Sequence, residues 1–204
     1  MIHPDTELQY INNEIGYGVV AKKVIKKGTI VWVLDRLDRE FTPLEIFEME
    51  DIYKNILDTY TFRNNKGNHV LCWDNGRYVN HSFNSNCLTT AYDFEVAVRD
   101  IMPGEQLTDD YGYLNIREPF RPVPERTKRK VVYPDDLVKY SKMWDKKLLP
   151  AFKRINSVDQ PLAKLISTEM WKLINDIITG KEEMASIQTC YYNEKEDVHQ
   201  LSMN

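Results

Sequence analysis

Short apolar runs bounded by turn residues fill the first half of the chain. Residues 19–21 follow a Gly-x-Gly segment, residues 30–33 follow a turn at Lys27-Gly28, and residues 69–73 follow an asparagine-rich turn. β-Branched and aromatic runs of this length between turn signals are typical of strands. Further strands are predicted at residues 88–92, 94–98 and 106–111. The first half is therefore predicted to be mainly β.

One helical segment interrupts these strands. Thr42-Pro43-Leu44-Glu45 has the form of a capping box with proline at the first helical position. Apolar residues follow it at spacings that suit a helix: Leu44, Phe47, Ile52, Tyr53, Ile56 and Leu57. The pattern predicts a helix that ends before Asp58, inside an insert of about residues 42–62.

The second half begins with a connector. Pro119, Pro122 and Pro124 stiffen residues 117–126, and a basic cluster follows at residues 126–130. A solvated linker explains this cluster better than a binding patch does.

Two amphipathic helices are predicted after the connector. The first opens at Pro134, and its apolar residues share one face: Leu137, Tyr140, Trp144, Leu148 and Phe152. The second starts at Pro161 and stops at Gly180, with apolar residues three and four positions apart. Apolar faces of this kind need a partner surface, either each other or the sheets.

Composition narrows the classes of function. The 204 residues carry 27 Lys and Arg against 31 Asp and Glu, with a pI of about 5.6. This acidic balance argues against direct nucleic-acid binding and suits a basic protein substrate. No apolar run approaches the roughly 18 residues of a membrane span, and no signal-peptide pattern opens the chain. We expect a soluble cytoplasmic protein, with a nuclear location or secretion as an effector left open.

The cysteines give no sign of a metal site. Cys72, Cys87 and Cys190 form no C-x-x-C pair, so neither a disulfide framework nor a zinc cluster is predicted. A reducing compartment suits this pattern.

Two polar segments carry the candidate chemistry. Residues 76–87 read G-R-Y-V-N-H-S-F-N-S-N-C, and residues 99–112 read R-D-I-M-P-G-E-Q-L-T-D-D-Y-G. Asn and Ser side chains bond to nearby backbone and favour turns. The first segment is therefore predicted to be irregular and dense in hydrogen bonds.

Together these segments resemble the paired signature of the SET domain, R-F-I-N-H-S-C-x-P-N-C followed by R-D-I-x-x-G-E-E-L-T-x-D-Y-G. The opening around Gly16 resembles the start of the same family, and Phe83, Ser85 and Gln106 depart from its pattern. The resemblance covers about residues 13–113. It implies an α+β, mainly β fold: a SET-type arrangement of small curved sheets with a pseudoknot, plus a helical C-terminal extension. We expect the SET domain at residues 1–116 and the connector with the extension at residues 117–204.

The resemblance also implies a cofactor, S-adenosylmethionine. In SET domains the backbone around the opening glycines holds the amino-acid end of this cofactor, which assigns that role to Gly16, Tyr17 and Gly18. Asn80 would contact the cofactor through its amide, and His81 largely through backbone. Taken alone, the Gly-x-Gly segment suits a plain hairpin turn better.

The implied activity is methyl transfer to a lysine side chain of a protein. Tyr111 would be the catalytic residue, in contact with the cofactor, because its hydroxyl orients methyl donor and amine. Tyr60 would line the lysine channel, although a strand of alternating aromatic residues explains Tyr60-Thr61-Phe62 equally well. The expected partner is a protein that presents a lysine in a basic or extended segment, and no metal is required.

Two departures from the family affect these expectations. Asp109 stands where most SET enzymes carry Phe or Tyr, a position that governs how many methyl groups are added. The cysteine-rich segment that normally follows Asp-Tyr-Gly is missing, so another element must cover the site; the candidates are Tyr113, Phe120 and Tyr133. The alternative function is a catalytically silent SET module that binds a protein partner.

Overall fold

Ten short strands and four helices occupy residues 1–193, the part of the chain that the computed structural model describes. The strands are β1 Thr6–Asn12, β2 Gly16–Ala21, β3 Ile30–Val33, β4 Arg39–Phe41, β5 Thr61–Arg63, β6 His69–Leu71, β7 Asn80–His81, β8 Cys87–Thr89, β9 Phe94–Ala97 and β10 Thr108–Asp109. The helices are α1 Pro43–Glu48, α2 Asp51–Tyr60, α3 Asp136–Phe152 and α4 Thr168–Ile178. This is a SET-type α+β fold with a C-terminal helical layer, as predicted.

The sheet β3-β9-β8 forms the centre of the fold. Both neighbouring pairs are antiparallel, and every residue of β3 and β9 is buried. Between β8 and β9 the chain turns at Asp93, whose φ of 57° is a conformation that Asp tolerates better than most residues. The predicted strands at residues 30–33, 88–92 and 94–98 are confirmed, with the last two shorter than expected.

Two smaller sheets flank this centre. β1 and β2 form an antiparallel hairpin, and Gly16 opens β2 with a φ of 80° that favours glycine. The sheet β4-β6-β5 is also antiparallel, and the chain between β4 and β5 forms the helical insert.

The insert differs from the sequence prediction in one respect. A break at Met49 and Glu50 divides the predicted helix into α1 and α2, and α2 continues past Asp58 to Tyr60. The capping box at Thr42 is present, but Leu57 is the one buried residue of the two helices. The other apolar side chains that suggested a helix here are exposed to solvent.

A parallel pairing of β7 with β10 forms the knot of the fold. Thr108 pairs with Asn80, and Asp109 pairs with His81. Asn86 fastens the crossing, because its Nδ2 donates to the Gln106 carbonyl at 2.7 Å and its Oδ1 accepts from the Thr108 amide at 2.9 Å. The knot thus places the two signature segments side by side.

The strand predicted at residues 106–111 ends early. β10 stops at Asp109, and Tyr111 begins a 3-10 turn, Tyr111–Tyr113. The cause is Asp110, whose carboxylate accepts from the Gly112 amide and so caps the turn.

The C-terminal helices share a core with the central sheet. Trp144, Leu148 and Phe152 of α3 are buried with Leu88 and Phe94 in one apolar cluster. The predicted boundary at residue 116 stays a prediction about domains, while this cluster includes residues from both sides of it.

The second C-terminal helix begins later than predicted. Residues 163–165 form a 3-10 turn, and α4 starts at Thr168 after Ser167, whose hydroxyl accepts from the Met170 amide. A strong N-cap inside an apolar periodic stretch moved the start by seven residues from Pro161.

Arg129 ties the connector to both halves of the fold. Its guanidinium pairs with Asp110 beside the knot and with Asp136 at the start of α3, and both carboxylates are almost fully buried. The same guanidinium lies over the rings of Phe83 and Tyr140, 4.6 and 4.5 Å from their centroids. The basic cluster, predicted to be solvated, thus includes one partly buried structural cation, Arg129.

Candidate active site

A cavity of about 680 Å³ opens between the helical insert and the knot. Five of its wall residues are aromatic: Trp32, Tyr60, Phe62, Tyr111 and Phe120. Polar residues complete the lining, among them two buried carboxyl groups. A cavity of this size with a few converging polar groups is typical of a ligand site.

Tyr111 lies on the wall of this cavity next to the knot. Its hydroxyl donates to the Val79 carbonyl at 2.9 Å, and its backbone amide donates to Nδ1 of His81 at 3.1 Å. Burial raises the pKa of the phenol, with a smaller contribution from the nearby Asp109 carboxylate. The hydroxyl is therefore protonated at neutral pH and is held in one orientation.

Tyr60 lies on the same cavity. It is the last residue of α2, and its ring packs edge-on against Tyr78 with the centroids 5.4 Å apart. The fold thus brings together the two tyrosines for which the sequence predicted roles in catalysis. They are 51 residues apart in the sequence, and the insert and the knot place them on one wall.

A buried pair of carboxyl groups, Glu95 on β9 and Asp109 on β10, also lines the cavity. Burial raises the pKa of Glu95 well above its ordinary value, and the charge of Asp109 adds to that shift. Burial likewise raises the pKa of Asp109, to about 7, although hydrogen bonds from Tyr113 and Glu95 lower it. The two groups therefore share at least one proton near neutral pH.

This pair should make stability depend on pH. A carboxyl group whose pKa is higher in the folded state binds more protons there, so its contribution to stability falls as pH rises from 3.8 to about 7. We expect Asp109→Asn to raise the free energy of unfolding at pH 8 by about 1–2 kcal/mol, with no such gain at pH 4. Urea denaturation at both pH values measures this, with Glu7→Gln as an exposed control. Equal gains at both pH values would contradict the assignment.

His81 is enclosed by aromatic rings. The rings of Phe83 and Phe120 meet it edge-on, at centroid distances of 4.5 and 5.8 Å. Burial lowers the pKa of His81 to about 4, and the charge of Arg129 adds to the effect, so the ring is neutral. Because Nδ1 accepts from Tyr111, Nε2 carries the proton, and over residues 1–193 that buried N–H has no hydrogen-bond partner.

The remaining predicted cofactor residues lie together beside the knot. Nδ2 of Asn80 donates to the Tyr17 carbonyl at 3.0 Å. A methyl group added at Gly18 would lie 2.7 Å from the same Nδ2 and 2.4 Å from Oε1 of Gln106. Only glycine allows this approach of the first β2 residues to Asn80. Gly16, Tyr17, Gly18, Asn80 and His81 do not line the 680 Å³ cavity, whereas Tyr111 does.

Of the three candidates for covering the site, Phe120 lies in the cavity lining. Phe120 packs on His81 and on Tyr111, with its ring centroid 5.6 Å from that of Tyr111. The prediction for Tyr113 is wrong: its side chain is buried in the core, and its hydroxyl reaches the Cys87 carbonyl. Tyr133 is 44% exposed and has Lys139 over its ring.

Sequence reasoning missed two residues of the cavity, Glu95 and Trp32. They face each other across the β3-β9 pairing. A Glu inside an otherwise apolar buried strand, F-E-V-A, was the available signal, because an ionisable residue in such a run needs a partner.

A comparison with protein-family models found a match. The family model described as SET domain matches residues 16–112, which include β2 to β10 and Tyr111. Among solved structures, the chain is similar to a crystal structure of a candidate histone methyltransferase from Plasmodium falciparum, at 18% identity and a TM-score of 0.41. That match covers 54% of this chain and 95% of the other, and similarity at this level carries no inference about activity. A search among curated proteins found no match.

Residues 16–112 therefore match the SET-domain family model over just under half of the chain, and the helical layer packs onto this part of the fold. Within residues 1–193, no group of three or more His, Cys, Asp or Glu side chains has an arrangement that could hold a metal ion. In the same range no helix is long and apolar enough to cross a membrane.

Proposed function

We propose that this chain is an S-adenosylmethionine-dependent methyltransferase that acts on a lysine side chain of a protein. The observation that carries the proposal is the position of Tyr111. Its ring lies on the wall of an aromatic cavity, while its backbone amide binds the His81 side chain of the Asn80-His81 strand. Tyr111 thus borders a cavity that suits an alkyl chain and contacts a predicted cofactor residue, while the Val79 carbonyl orients its hydroxyl.

The residues beside the knot suit the proposed cofactor. Gly16 leaves the start of the β2 backbone open, while Gly18 lets Asn80 pack closely against that backbone. His81 offers a buried N–H that still needs an acceptor. S-adenosylmethionine, when bound, supplies an electrophilic sulfonium methyl group, and Gly16, Tyr17, Gly18, Asn80 and His81 would hold it.

The chain's own contribution is alignment and exclusion of water. A fixed near-attack geometry supplies several kcal/mol because orientational entropy is lost before the reaction. The aromatic walls formed by Tyr60, Phe62 and Phe120 remove water from an inserted amine, which disfavours its charged form. Tyr111, bound to the Val79 carbonyl, would fix the direction of approach.

The surface near the cavity suits a basic substrate segment. Five carboxylates of the insert region are exposed: Glu45, Glu48, Glu50, Asp51 and Asp58. Lys54 is the one basic residue of α1 and α2, and it pairs with Asp51. A lysine in a basic or extended protein segment would be attracted to this surface.

A second candidate function is a catalytically silent SET module that binds a partner protein. Apolar side chains on the insert helices favour it, because Phe47 is 78% exposed and Leu44 and Ile52 are about two-thirds exposed. Contiguous exposed apolar surface often marks an interaction site. This surface would serve a substrate as well as a regulatory partner, so activity decides between the two.

Methyl transfer from labelled cofactor separates the two candidates. The full chain is incubated with cell extract and tritiated S-adenosylmethionine, and the labelled bands are compared with those of an extract without the chain. We expect at least one new labelled protein band. A chain that captures proteins from the extract but labels none of them would support the silent module.

Cofactor binding should not depend on metal. We expect calorimetric titration of S-adenosylmethionine into the full chain to give the same binding heat with and without a chelator, because the predicted contacts are backbone, amide and imidazole groups. Heat that appears only after zinc is added would contradict this prediction.

A further inference from the structure

The carboxyl pair of Glu95 and Asp109 has no role in methyl-donor binding or alignment as described above. Both groups are more than nine-tenths buried, and both line the cavity that Tyr60 and Tyr111 share. Burying two carboxyl groups side by side is costly, because each charged form loses its hydration. Ionisable groups that are buried at such a cost beside a cavity are typical of functional sites.

Two residues that line this cavity carry unmatched polar atoms. Oδ1 of Asp109 is buried and has no hydrogen-bond partner among residues 1–193. The indole N–H of Trp32, which lies opposite Glu95 across the sheet, is also buried and unmatched in that range. Buried polar atoms nearly always have a hydrogen-bond partner. The carboxyl pair and the indole N–H therefore indicate a polar ligand in this cavity.

We propose that the Glu95–Asp109 pair accepts the proton of the substrate ammonium group before methyl transfer, an inference that rests on the proposed function. The reaction needs an amine lone pair, yet a lysine in water is an ammonium ion at neutral pH. The pair is an acceptor on the wall that also carries Tyr111. The substrate ammonium group is the polar ligand that the unmatched Oδ1 of Asp109 would bind.

The proton transfer balances without another reactant. An N–H bond of the ammonium breaks and leaves its electron pair on nitrogen, while an O–H bond forms on the Asp109 carboxylate. The substrate becomes a neutral amine and the pair becomes fully protonated, so both lose their charge in a site with little water. The free electron pair can then attack the methyl group, and the pair later returns its proton to solvent.

The environment of the pair suits a base that works near neutral pH. Burial raises the pKa of Asp109 to about 7, which is the range that a general base needs. The titratable groups that interact with the pair are Cys72, Cys87, Asp110, Tyr111, Tyr113 and the N-terminal amine. Further charged or titratable side chains line the same cavity: Asp58, Arg63, His69, Arg77, Arg117 and Glu118.

A route for the proton lies behind Glu95. A second cavity of about 290 Å³ also has Glu95 and Trp32 in its lining. Glu95 thus borders both cavities, and a proton shared within the pair can leave through the second cavity while the substrate fills the first.

Infrared difference spectroscopy tests proton acceptance without any methyl transfer. The full chain at about pH 8 is titrated with butylammonium, which has the alkyl chain and charge of a lysine side chain, and with n-butanol as a control of equal length. We expect butylammonium, and not butanol, to produce a protonated-carboxyl band that Asp109→Asn removes and Glu7→Gln retains. The absence of this band overturns the proposal.

The pH dependence of the rate gives the second test. In single turnovers at about pH 7, Asp109→Asn and Glu95→Gln should each lower the methyl-transfer rate about a hundredfold, the low end of what a positioned base contributes. The deficit should shrink as pH rises and solvent removes the proton instead. Cofactor affinity should be unchanged in both variants. A deficit that is the same at every pH indicates a structural role and overturns the proposal.

Failure of this inference differs from failure of the proposed function. If Asp109→Asn and Glu95→Gln both transfer methyl groups at the full rate at about pH 7, the proposed function is retained. The Glu95–Asp109 pair is then not the base. If butylammonium produces the carboxyl band but the chain methylates no lysine, the pair is still a proton acceptor. The proposed function is then rejected.

Discussion

Truncation after Asn115 should abolish cooperative folding, not release a smaller active domain. The fragment would keep the central sheet but lose the apolar side chains that cover it, including Trp144, Leu148 and Phe152, all of which are at most 1% exposed. Loss of one buried Leu or Phe side chain costs about 2–5 kcal/mol, and a whole domain is stable by only about 5–15 kcal/mol. Loss of the whole layer therefore exceeds the stability of the protein.

Polar contacts strengthen this expectation. The truncation would remove Arg129 and leave Asp110 buried without its cation, and an uncompensated buried charge costs about 3–5 kcal/mol. Asn115 would lose its side-chain bonds to the Cys190 carbonyl and the Tyr192 amide. The layer is thus tied to the SET domain by charge and hydrogen bonds as well as by packing.

Urea denaturation curves measure how much the helical layer contributes to the free energy of unfolding. The fragment should show no cooperative urea transition and no binding of S-adenosylmethionine. In the full chain, Leu148→Ala should lower the free energy of unfolding by about 2–5 kcal/mol, while Lys146→Ala, exposed on the same helix, should change it by less than about 0.5 kcal/mol. A soluble, monomeric fragment that unfolds cooperatively and binds cofactor would show that the helices are an independent module.

Tyr111→Phe should lower methyl transfer about 10²–10³-fold, which is the loss seen when one oriented donor is removed from an active site. The variant loses only the hydroxyl and its bond to the Val79 carbonyl. The ring should keep its contacts with His81 and Phe120, so the aromatic wall remains.

The stability and cofactor affinity of this variant should change little. One neutral hydrogen bond contributes about 0.5–1.5 kcal/mol to stability. Tyr140→Phe, which removes a phenol hydroxyl from α3, is the matched control and should methylate at the normal rate. Near-normal transfer by Tyr111→Phe would show that its hydroxyl does not align the reaction.

The sequence was informative wherever local chemistry decides the structure. β-Branched runs between turn residues located β2, β3, β8 and β9, and the capping box located the start of α1. The two signature segments led to the SET domain because their residues lie close together along the chain. The fold then placed Tyr60 and Tyr111, both predicted as catalytic, on one cavity.

Features that depend on long-range pairing could not be predicted in this way. Glu95 interacts with Asp109 although their strands, β9 and β10, belong to different sheets, and no spacing in the sequence encodes that contact. Tyr113 looked available to a ligand, but the 3-10 turn capped by Asp110 directs it into the core. The exposed apolar face of the insert has the same helical periodicity as a buried one, so periodicity alone does not decide its environment.

The chemical identity of the methylated atom is the most direct test of the proposed function. The full chain is incubated with S-adenosylmethionine that carries a deuterated methyl group and with protein extract, and mass spectrometry locates the label in digested proteins. We expect the label on lysine side-chain nitrogen, with far less label when the Tyr111→Phe variant replaces the natural chain. Bound cofactor together with label on another residue type, or with no label in any protein, would contradict the proposed function.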